Sequence, residues 1–198
     1  MGLIFATLYE PLSWVGEVAG MRRARQRLLA HAHGRMLELG AGTGANFPYY
    51  PGGVAQVVAT EPDRHMRARA VKKALAAARP LLVQDADAQR LPFPDAAFDT
   101  VVGTLVFCTI PDPARALQEA QRVLKPGGQL LLLEHVRGPD PVRGAIQDAL
   151  TPLWKRLAGG CHPNRDTLAA VKKAGFSVDT VHRHAGPLTF LSIVARRP

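Results

Sequence analysis

The sequence contains little cysteine, few aromatic residues and no long apolar run. Only two cysteines are present, Cys108 and Cys161, and Phe, Trp and Tyr together make up 6% of the 198 residues. Two cysteines cannot form the disulfide framework of a small secreted domain, and no C-x-x-C or other Cys/His spacing is typical of a zinc site. We therefore predict no metal centre, and we interpret both cysteines as small buried side chains.

Features of membrane-spanning and secreted chains are missing as well. The longest apolar runs fall far short of the roughly 18 residues that a membrane span requires. The amino-terminal stretch MGLIFATLYEPLSWVG is apolar, but it has neither the basic start nor the small-residue cleavage site of a secretory signal. These absences favour a cytoplasmic protein.

Positive charge is in excess, because 25 Lys and Arg residues against 16 Asp and Glu residues give a formal net charge of +9. The basic residues cluster in 21–27 (MRRARQR) and 64–73 (RHMRARAVKK), two segments of helical character. Proteins that bind single-stranded nucleic acid interleave such residues with aromatic side chains. These clusters contain no Phe, Trp or Tyr, so we expect no nucleic acid partner. We interpret them as solvated helix faces or, alternatively, as a peripheral contact with an anionic membrane.

Apolar runs of strand length alternate with helix-like segments, which predicts βαβ units and a parallel sheet. Five strands are predicted, at Arg35–Leu39, Val54–Thr60, Leu81–Gln84, Phe98–Leu105 and Gln129–His135. Before the fifth, Asp112 and Pro113 predict the start of a helix, and the segment 125–128 (KPGG) predicts its end.

The carboxyl-terminal part breaks this alternation. A short helix at Thr167–Ala174 is followed by two strands, Phe176–His184 and Leu188–Arg196, with three residues between them. A parallel crossover needs a dozen or more residues, so these strands form an antiparallel hairpin if they are neighbours. The predicted fold is therefore α/β: a Rossmann-like, doubly wound seven-stranded sheet of five parallel strands plus a C-terminal antiparallel hairpin, with helices on both faces.

The segment Glu38–Asn46 (ELGAGTGAN) follows the first strand directly. Its glycines allow a tight turn and a close approach of the backbone to a ligand. The pattern Gly40-x-Gly42-x-x-Ala45 also satisfies the dinucleotide fingerprint, with an acid about 20 residues further on. Pro48 leaves room for about one helical turn, and the chain is too short for a separate substrate domain, so nicotinamide binding is the less favoured interpretation.

Several polar residues follow the predicted parallel strands at the point where each strand ends. They are Glu61 after the second strand, Asp87 after the third, the segment Thr104–Thr109 at the end of the fourth, and Glu134 with His135 at the end of the fifth. Ligands of open α/β sheets bind outside the carboxyl ends of the strands. We therefore expect these side chains to share one crevice.

These motifs resemble those of the class I S-adenosylmethionine methyltransferases, in the branch of the ubiquinone/menaquinone C-methyltransferases. The resemblance lies in ELGAGTG, in Glu61 followed by Pro62, in Asp87–Asp99 (DAQRLPFPDAAFD), and in LKPGG before LLLLEH. The segments GTGANFPYYPGG, TLVFCTIPD, LLLLEHVRG and LWKRLAGGCHPNRDT are similar to the membrane-associated thiol S-methyltransferases. In that family Asp is usual where this chain has Glu61, and the long membrane anchor of the animal members is here only a short apolar segment.

The resemblance implies S-adenosylmethionine as cofactor. Its methionine part would lie among Glu38, Asn46 and the glycines, its ribose would be held by Glu61, and its adenine would be read near Asp87. The implied cofactor-binding residues are Glu38, Gly40, Ala41, Gly42, Asn46, Glu61, Pro62, Asp87, Ala88 and Thr104. The resemblance also suggests how a single domain of residues 1–198 is divided: an amino-terminal lid (1–30), the cofactor-binding core (31–136), a substrate-lid insertion (137–166) and a terminal helix with hairpin (167–198).

A methyl group on a sulfonium is a strong electrophile, so a base is needed only if the acceptor must lose a proton. A thiol is already partly ionised at neutral pH, and a thiol is our first expectation for a small apolar acceptor. The alternatives are a quinone, a phenol or a phospholipid amine, or a non-catalytic module that docks to membrane or RNA. The candidate catalytic residues are His135 and Tyr9, and the candidate substrate residues are Phe5, Trp154 and His162.

An apolar stripe lies within residues 141–157, at Ile146, Leu150, Leu153, Trp154 and Leu157. Its spacing is helical, although Pro152 is expected to kink or shift the helix. Such a stripe is more typical of a core face than of a pocket wall.

Overall fold

The computed structural model describes residues 20–77, 80–184 and 188–198, and a seven-stranded sheet runs through them. Its strands are β1 (Gly34–Leu39), β2 (Val54–Thr60), β3 (Leu81–Gln84), β4 (Phe98–Thr104), β5 (Leu124–His135), β6 (Ser177–His184) and β7 (Phe190–Arg196). The strand order is β3-β2-β1-β4-β5-β7-β6. Strands β1 to β5 are parallel, and β7 is antiparallel to both β5 and β6. The predicted fold class, including the hairpin, is confirmed.

One helix precedes β1, and others lie in several of the connections between the strands. They are α1 (Arg22–Leu29), α2 (Arg64–Leu75), α3 (Pro113–Val123), α4 (Pro141–Leu157) and α5 (Thr167–Lys173), with a 3-10 turn at Phe47–Tyr49. Asp112 caps α3 as predicted, because its side chain accepts a hydrogen bond of 3.0 Å from the backbone N–H of Arg115.

Alternate residues of the central strands pack on opposite faces of the sheet, which is why the middle of each of these strands is apolar on both faces. Leu130 and Leu132 of β5 face a cluster that includes α3 and α5, whereas Leu131 and Leu133 face a cluster that includes α1 and α2. The helices therefore cover both faces, as the doubly wound prediction requires. Because the helices cover the two faces, the carboxyl ends of the parallel strands are where a ligand can reach the sheet.

The strand bounds differ from prediction at β5. This strand begins at Leu124, which pairs with Phe98, and the register then shifts so that Gln129 pairs with Thr100. The segment KPGG therefore forms an irregularity inside the strand rather than a loop before it. On β4, Leu105 has a φ of 58° and falls outside the strand.

The prediction that the apolar stripe of α4 forms a core face is wrong. Its large side chains are exposed, by 53% at Ile146, 57% at Leu153 and 68% at Leu157. Pro152 lies inside the helix without ending it. Within the described residues, none of the helices combines the length and the hydropathy needed to cross a membrane.

Candidate functional site

A cavity of about 470 Å³ opens at the carboxyl ends of β1 to β5. β1 and β4 are neighbours in the sheet, but the chain continues from β1 towards β2 and from β4 towards β5, in opposite directions. A crevice therefore forms between the loops that follow these two strands. The cavity has a polar part beside β1 and β2 and an apolar part beside β5 and α4. The residues lining it include Glu38, Gly40, Gly42, Glu61, Asp87, Thr104, Ile110, His135, Trp154, Cys161, Leu188 and Phe190.

The glycine loop after β1 forms one wall of the polar part. Gly40 and Gly42 have φ values of 60° and 58°, a left-handed conformation that favours glycine. A Cβ at Gly40 would collide with the side chain of Val106 from the β4 loop. The 3-10 turn that follows spans only three residues, Phe47–Tyr49, as the position of Pro48 predicted. A pyrophosphate site of the dinucleotide type uses a longer helix, so the loop does not favour nicotinamide binding.

Glu38 lies at the end of β1 and is 1% exposed. Its carboxylate accepts one hydrogen bond from the hydroxyl of Tyr50 and another, of 2.6 Å, from Nδ2 of Asn46. Burial raises the pKa of Glu38 from 4.5 to about 7, although the hydrogen bonds from Tyr50 and Asn46 oppose that rise. The carboxyl group is therefore held in a fixed position, and a cation in the cavity would favour its ionised form.

Arg25 of α1 connects this cluster to β4. Its Nη1 donates to Oδ1 of Asn46 at 2.5 Å and to Oγ1 of Thr104 at 2.7 Å. The interpretation of residues 21–27 as a solvated helix face is therefore wrong at Arg25, which is 4% exposed. Its neighbours Arg22, Arg23 and Arg27 are exposed as expected.

Two residues of this cluster, Arg25 and Tyr50, were not among the predicted site residues. The signal for Arg25 is its spacing, because Leu28 and Leu29 lie three and four residues later and so share the buried face of α1. No comparable signal distinguishes Tyr50 from its neighbour Tyr49, since both stand in the same short PYYP segment.

Glu61 follows β2 and is 5% exposed. Its two carboxylate oxygens accept hydrogen bonds from the backbone N–H groups of Gly42, at 2.8 Å, and Asp63, at 2.9 Å. Burial raises the pKa of this carboxyl, and the two backbone hydrogen bonds counteract part of the rise. Each oxygen keeps a further lone pair with which it can accept a hydroxyl hydrogen.

Asp87 stands beyond β3 and is exposed, between the buried Ala86 and Ala88. Its carboxylate accepts a hydrogen bond of 2.9 Å from the backbone N–H of Gln89, which fixes the turn. All three residues line the cavity, and two small apolar side chains on either side of a carboxylate are suited to a planar, amino-bearing ring.

Glu134 and His135 end β5 and differ in their surroundings. The carboxylate of Glu134 is fully buried and accepts hydrogen bonds of 3.0 to 3.1 Å from the backbone N–H groups of Val106, Phe107 and Cys108. Burial raises its pKa to about 7, and these hydrogen bonds oppose the rise. Glu134 therefore shapes the loop that follows β4 rather than lining the cavity itself.

The ring of His135 is stacked against Phe190 of β7, with a centroid distance of 4.9 Å and an angle of 30°, and it meets Trp154 edge-on at 6.3 Å. Its Nδ1 lies 3.8 Å from Sγ of Cys161. The side chain is 3% exposed, and among the described residues its Nε2 has no hydrogen-bond partner. An unpaired buried nitrogen costs free energy, which marks this atom as available to a ligand.

The structure brings nearly all the predicted site residues to one cavity. Of the ten predicted cofactor residues only Asn46 is not part of the lining, and it lies directly behind Glu38. His135 and Trp154 also line the cavity. His162 does not line it, and its backbone N–H and its ring Nδ1 lie 2.7 and 3.3 Å from the carbonyl of Cys108. Phe5 and Tyr9 lie outside the described residues. The roles of all these residues remain predictions.

The chain is similar to known methyltransferases. The methyltransferase domain family matches residues 37–132. The thiol S-methyltransferase TMT1B of Rattus norvegicus is 37% identical over 164 residues, which cover 80% of this chain and 66% of the rat protein. The ubiquinone/menaquinone biosynthesis C-methyltransferase UbiE of Ectopseudomonas mendocina is 31% identical over 182 residues, which cover 79% of this chain and 70% of that protein.

A solved structure shares the fold. The SAM-dependent methyltransferase from Thermotoga maritima superimposes with a TM-score of 0.74 at 22% identity, covering 98% of both chains. The sheet order, the glycine loop, the acids at the strand ends and the relatives agree with one another. The chain belongs to the S-adenosylmethionine-dependent methyltransferase family.

Proposed function

We propose that the protein transfers a methyl group from S-adenosylmethionine to a small apolar acceptor, and that this acceptor is a thiol. The observation that carries the proposal is the continuity of the cavity. Its polar part, with Glu38 and Glu61, opens directly into an apolar part that holds His135 and Cys161. Cofactor and acceptor would therefore meet inside one space.

The polar part fits the cofactor by the chemistry of its donor and acceptor groups. Glu61 has free lone pairs for the two ribose hydroxyls, and the carboxylate of Asp87 can accept from an adenine amino group. Glu38 supplies a fixed carboxylate for the positively charged methionine part. When bound, S-adenosylmethionine supplies an electrophilic methyl group, and the chain has only to position the acceptor and exclude water.

The apolar part supports a small apolar acceptor. Ile110, Trp154, Leu188 and Phe190 line it, and they offer few groups that could pair with a charged molecule. A thiol with an ordinary pKa near about 8.5 is already a few per cent ionised at neutral pH. His135, which lies among these side chains, could accept the remaining proton. The thiol methyltransferase relative supports this choice, and the quinone methyltransferase relative supports a quinone or phenol as the second candidate.

A methyl-transfer assay tests the proposal. The purified protein is incubated with labelled S-adenosylmethionine and a panel of apolar thiols, quinones, phenols and phosphatidylethanolamine vesicles. We expect label in the thiols. Transfer only to a quinone, phenol or phospholipid amine would replace the thiol as acceptor, and cofactor binding without transfer to any acceptor would favour a non-catalytic docking role.

A pair of variants separates cofactor binding from general effects on the chain. Glu61→Gln keeps the size of the side chain but removes its charge at the cofactor wall. We expect it to weaken cofactor binding in calorimetry and to lower transfer in parallel. Asp179→Asn is the matched control, because Asp179 lies on β6 in an ion pair of 2.8 Å with Arg196, away from the cavity. Equal binding by both variants would contradict the role of Glu61.

We also propose that the protein works in the cytoplasm in peripheral contact with an anionic membrane. Ile146, Leu150 and Leu153 of α4 expose apolar side chains, and the exposed Lys155 and Arg156 lie on the same helix. Apolar and basic side chains together favour anionic bilayer surfaces. The double variant Ile146→Ser/Leu153→Ser should reduce sedimentation with vesicles that contain phosphatidylglycerol. Equal sedimentation of both proteins, or none with the unaltered protein, would reject this contact.

A further inference from the structure

The two cysteines of the chain lie together at the apolar end of the cavity. Cys108 is 1% exposed and Cys161 is 8% exposed, and both belong to the cavity lining. The loop of Cys161 is held against that of Cys108, because the backbone N–H of His162 donates to the carbonyl of Cys108 at 2.7 Å. The prediction of two small buried side chains was right about burial, but it did not anticipate what Cys161 contacts.

The sulfur of Cys161 lies 3.8 Å from Nδ1 of His135. Hydrogen bonding with the side chains of Cys108, His135 and Trp154 lowers the pKa of Cys161, against the opposing effect of burial. Hydrogen bonding with Cys161 and burial raise the pKa of Cys108 well above its usual value. These opposite directions favour the proton on Cys108 and the negative charge on Cys161.

We infer that Cys161 is a positioning residue: as a thiolate it accepts the Nδ1 hydrogen of His135 and thereby leaves the lone pair of the neutral imidazole on Nε2. The inference rests on the proposed function, in which His135 takes a proton from the acceptor. It assigns to Cys161 the part that a buried carboxylate has in other proton-transferring groups of three residues.

The tautomer of His135 follows from the charge of Cys161. A thiolate has no hydrogen to donate, so the contact of 3.8 Å between Sγ and Nδ1 requires the hydrogen to be on Nδ1. A neutral imidazole carries one N–H, and Nε2 is then an acceptor. This is the nitrogen without a partner among the described residues. The stacking of the ring on Phe190 keeps the orientation of His135 fixed.

The proton and electron balance of the step is simple. Nε2 of His135 takes the proton of the acceptor thiol, and the electron pair left on the acceptor sulfur forms the new bond to the methyl carbon. The bond between that carbon and the sulfonium sulfur breaks, and the sulfonium sulfur keeps its electron pair. The imidazolium formed on His135 is stabilised by the negative charge of Cys161.

Other ionisable groups also face this pair. Glu134 lies behind Cys108 and places a second acid near it, while Arg165 donates from Nη1 to the carbonyls of Phe107 and Ile110, at 2.5 and 2.7 Å. The positive charge of Arg165 interacts with both cysteines and with Glu134. The charge of Arg165 therefore favours ionised cysteines, whereas Glu134 opposes the ionisation of Cys108.

A spectroscopic titration tests the charge of Cys161 without any activity. The ultraviolet absorbance of thiolates is followed against pH in the unaltered protein, in Cys161→Ser and in Cys108→Ser. We expect a thiolate at neutral pH in the unaltered protein and in Cys108→Ser, where a hydroxyl still donates to Cys161. Cys161→Ser should show none. A thiol at Cys161 that ionises only in alkaline solution would overturn the inference.

The tautomer and the role are tested in a second set of measurements. Nitrogen NMR of the histidines, with His135 assigned by comparison with His135→Gln, should show the Nδ1–H form in the unaltered protein. Cys161→Ala should lower kcat/KM roughly 10- to 100-fold, as expected when a proton-accepting imidazole loses its orientation, and should move the acidic limb of the pH profile. Cys161→Asp restores an anion and should recover most of the loss, with KM little changed.

The two proposals fail in different ways. An Nε2–H form of His135, or an unchanged pH profile in Cys161→Ala, overturns the role of Cys161 while methyl transfer itself persists. Absence of transfer by the unaltered protein to every acceptor of the panel overturns the proposed function, whatever the titration of Cys161 shows.

Discussion

Glu38 should lower the stability of the protein near neutral pH. Its carboxyl is buried at the cavity wall, and its pKa is raised from 4.5 to about 7 by that burial. A raised pKa means that folding favours the protonated form. The corresponding contribution to the free energy of unfolding is complete below about pH 4.5 and is lost progressively as the pH rises to about 7. At roughly 1.4 kcal/mol per pH unit, the loss amounts to about 3 kcal/mol.

The substitution Glu38→Gln isolates this contribution. Glutamine is neutral at every pH and keeps an oxygen for Asn46 and an amide for the hydroxyl of Tyr50. We expect the variant to match the unaltered protein in acid and to exceed its free energy of unfolding by up to about 3 kcal/mol at pH 8. Glu134 has a pKa raised to about 7 by the same cause, so the variant should keep the pH dependence that this second acid contributes.

Urea unfolding of the two proteins without cofactor, from pH 5 to about pH 8, measures the difference. Calorimetry with S-adenosylmethionine should show the opposite ranking, because the variant lacks the carboxylate that meets the positively charged methionine part. Loss of one charge-assisted hydrogen bond corresponds to a roughly 10- to 100-fold weaker affinity. The control Asp179→Asn should change neither quantity. Parallel pH curves for the unaltered protein and Glu38→Gln would refute the reasoning.

Two further substitutions test the walls of the cavity. Arg25→Ala should lower the free energy of unfolding by about 1 to 3 kcal/mol and weaken cofactor binding, because Oδ1 of Asn46 loses a buried donor. Chemical denaturation measures the first effect and calorimetry the second. Arg23→Ala is the control, since Arg23 is exposed on the same helix. Gly40→Ala should lower the melting temperature and abolish cofactor binding, since its φ of 60° and the side chain of Val106 both exclude a Cβ. A Gly40→Ala protein that binds normally would show that the loop can relax.

The strands and their order could be predicted because each depends on a local pattern. Alternation of apolar runs with capped helices, together with the short connection before β7, determines the parallel sheet and the hairpin. The β5 bound was missed because the KPGG segment is typical of a loop, whereas pairing of Leu124 with Phe98 extends the strand across it. That pairing is a tertiary contact, so no local pattern indicates it.

The candidate site was predictable in part for the same reason. Acids at strand ends converge by topology alone, which is how Glu61 and Asp87 could be placed. The hydrogen bonds that hold them could not be deduced. The exposure of the α4 stripe was missed because helical spacing shows which side chains share a face and leaves open whether that face is covered. The contact of Cys161 with His135 joins residues 26 positions apart, and nothing in either local segment indicates it.

Both ends of the cavity depend on arginines from outside the segment that matches the methyltransferase domain family, residues 37–132. Arg25 precedes it and holds Asn46 beside Glu38, whereas Arg165 follows it and holds the loop that Glu134 organises. Glu38 and Glu134 thus each lie beside a loop that contacts an arginine from a flanking element. The excess of positive charge therefore has an internal as well as an external part. It follows that residues 37–132 alone lack two arginines that hold the loops of the cavity, and that α1 and the segment after α4 supply them.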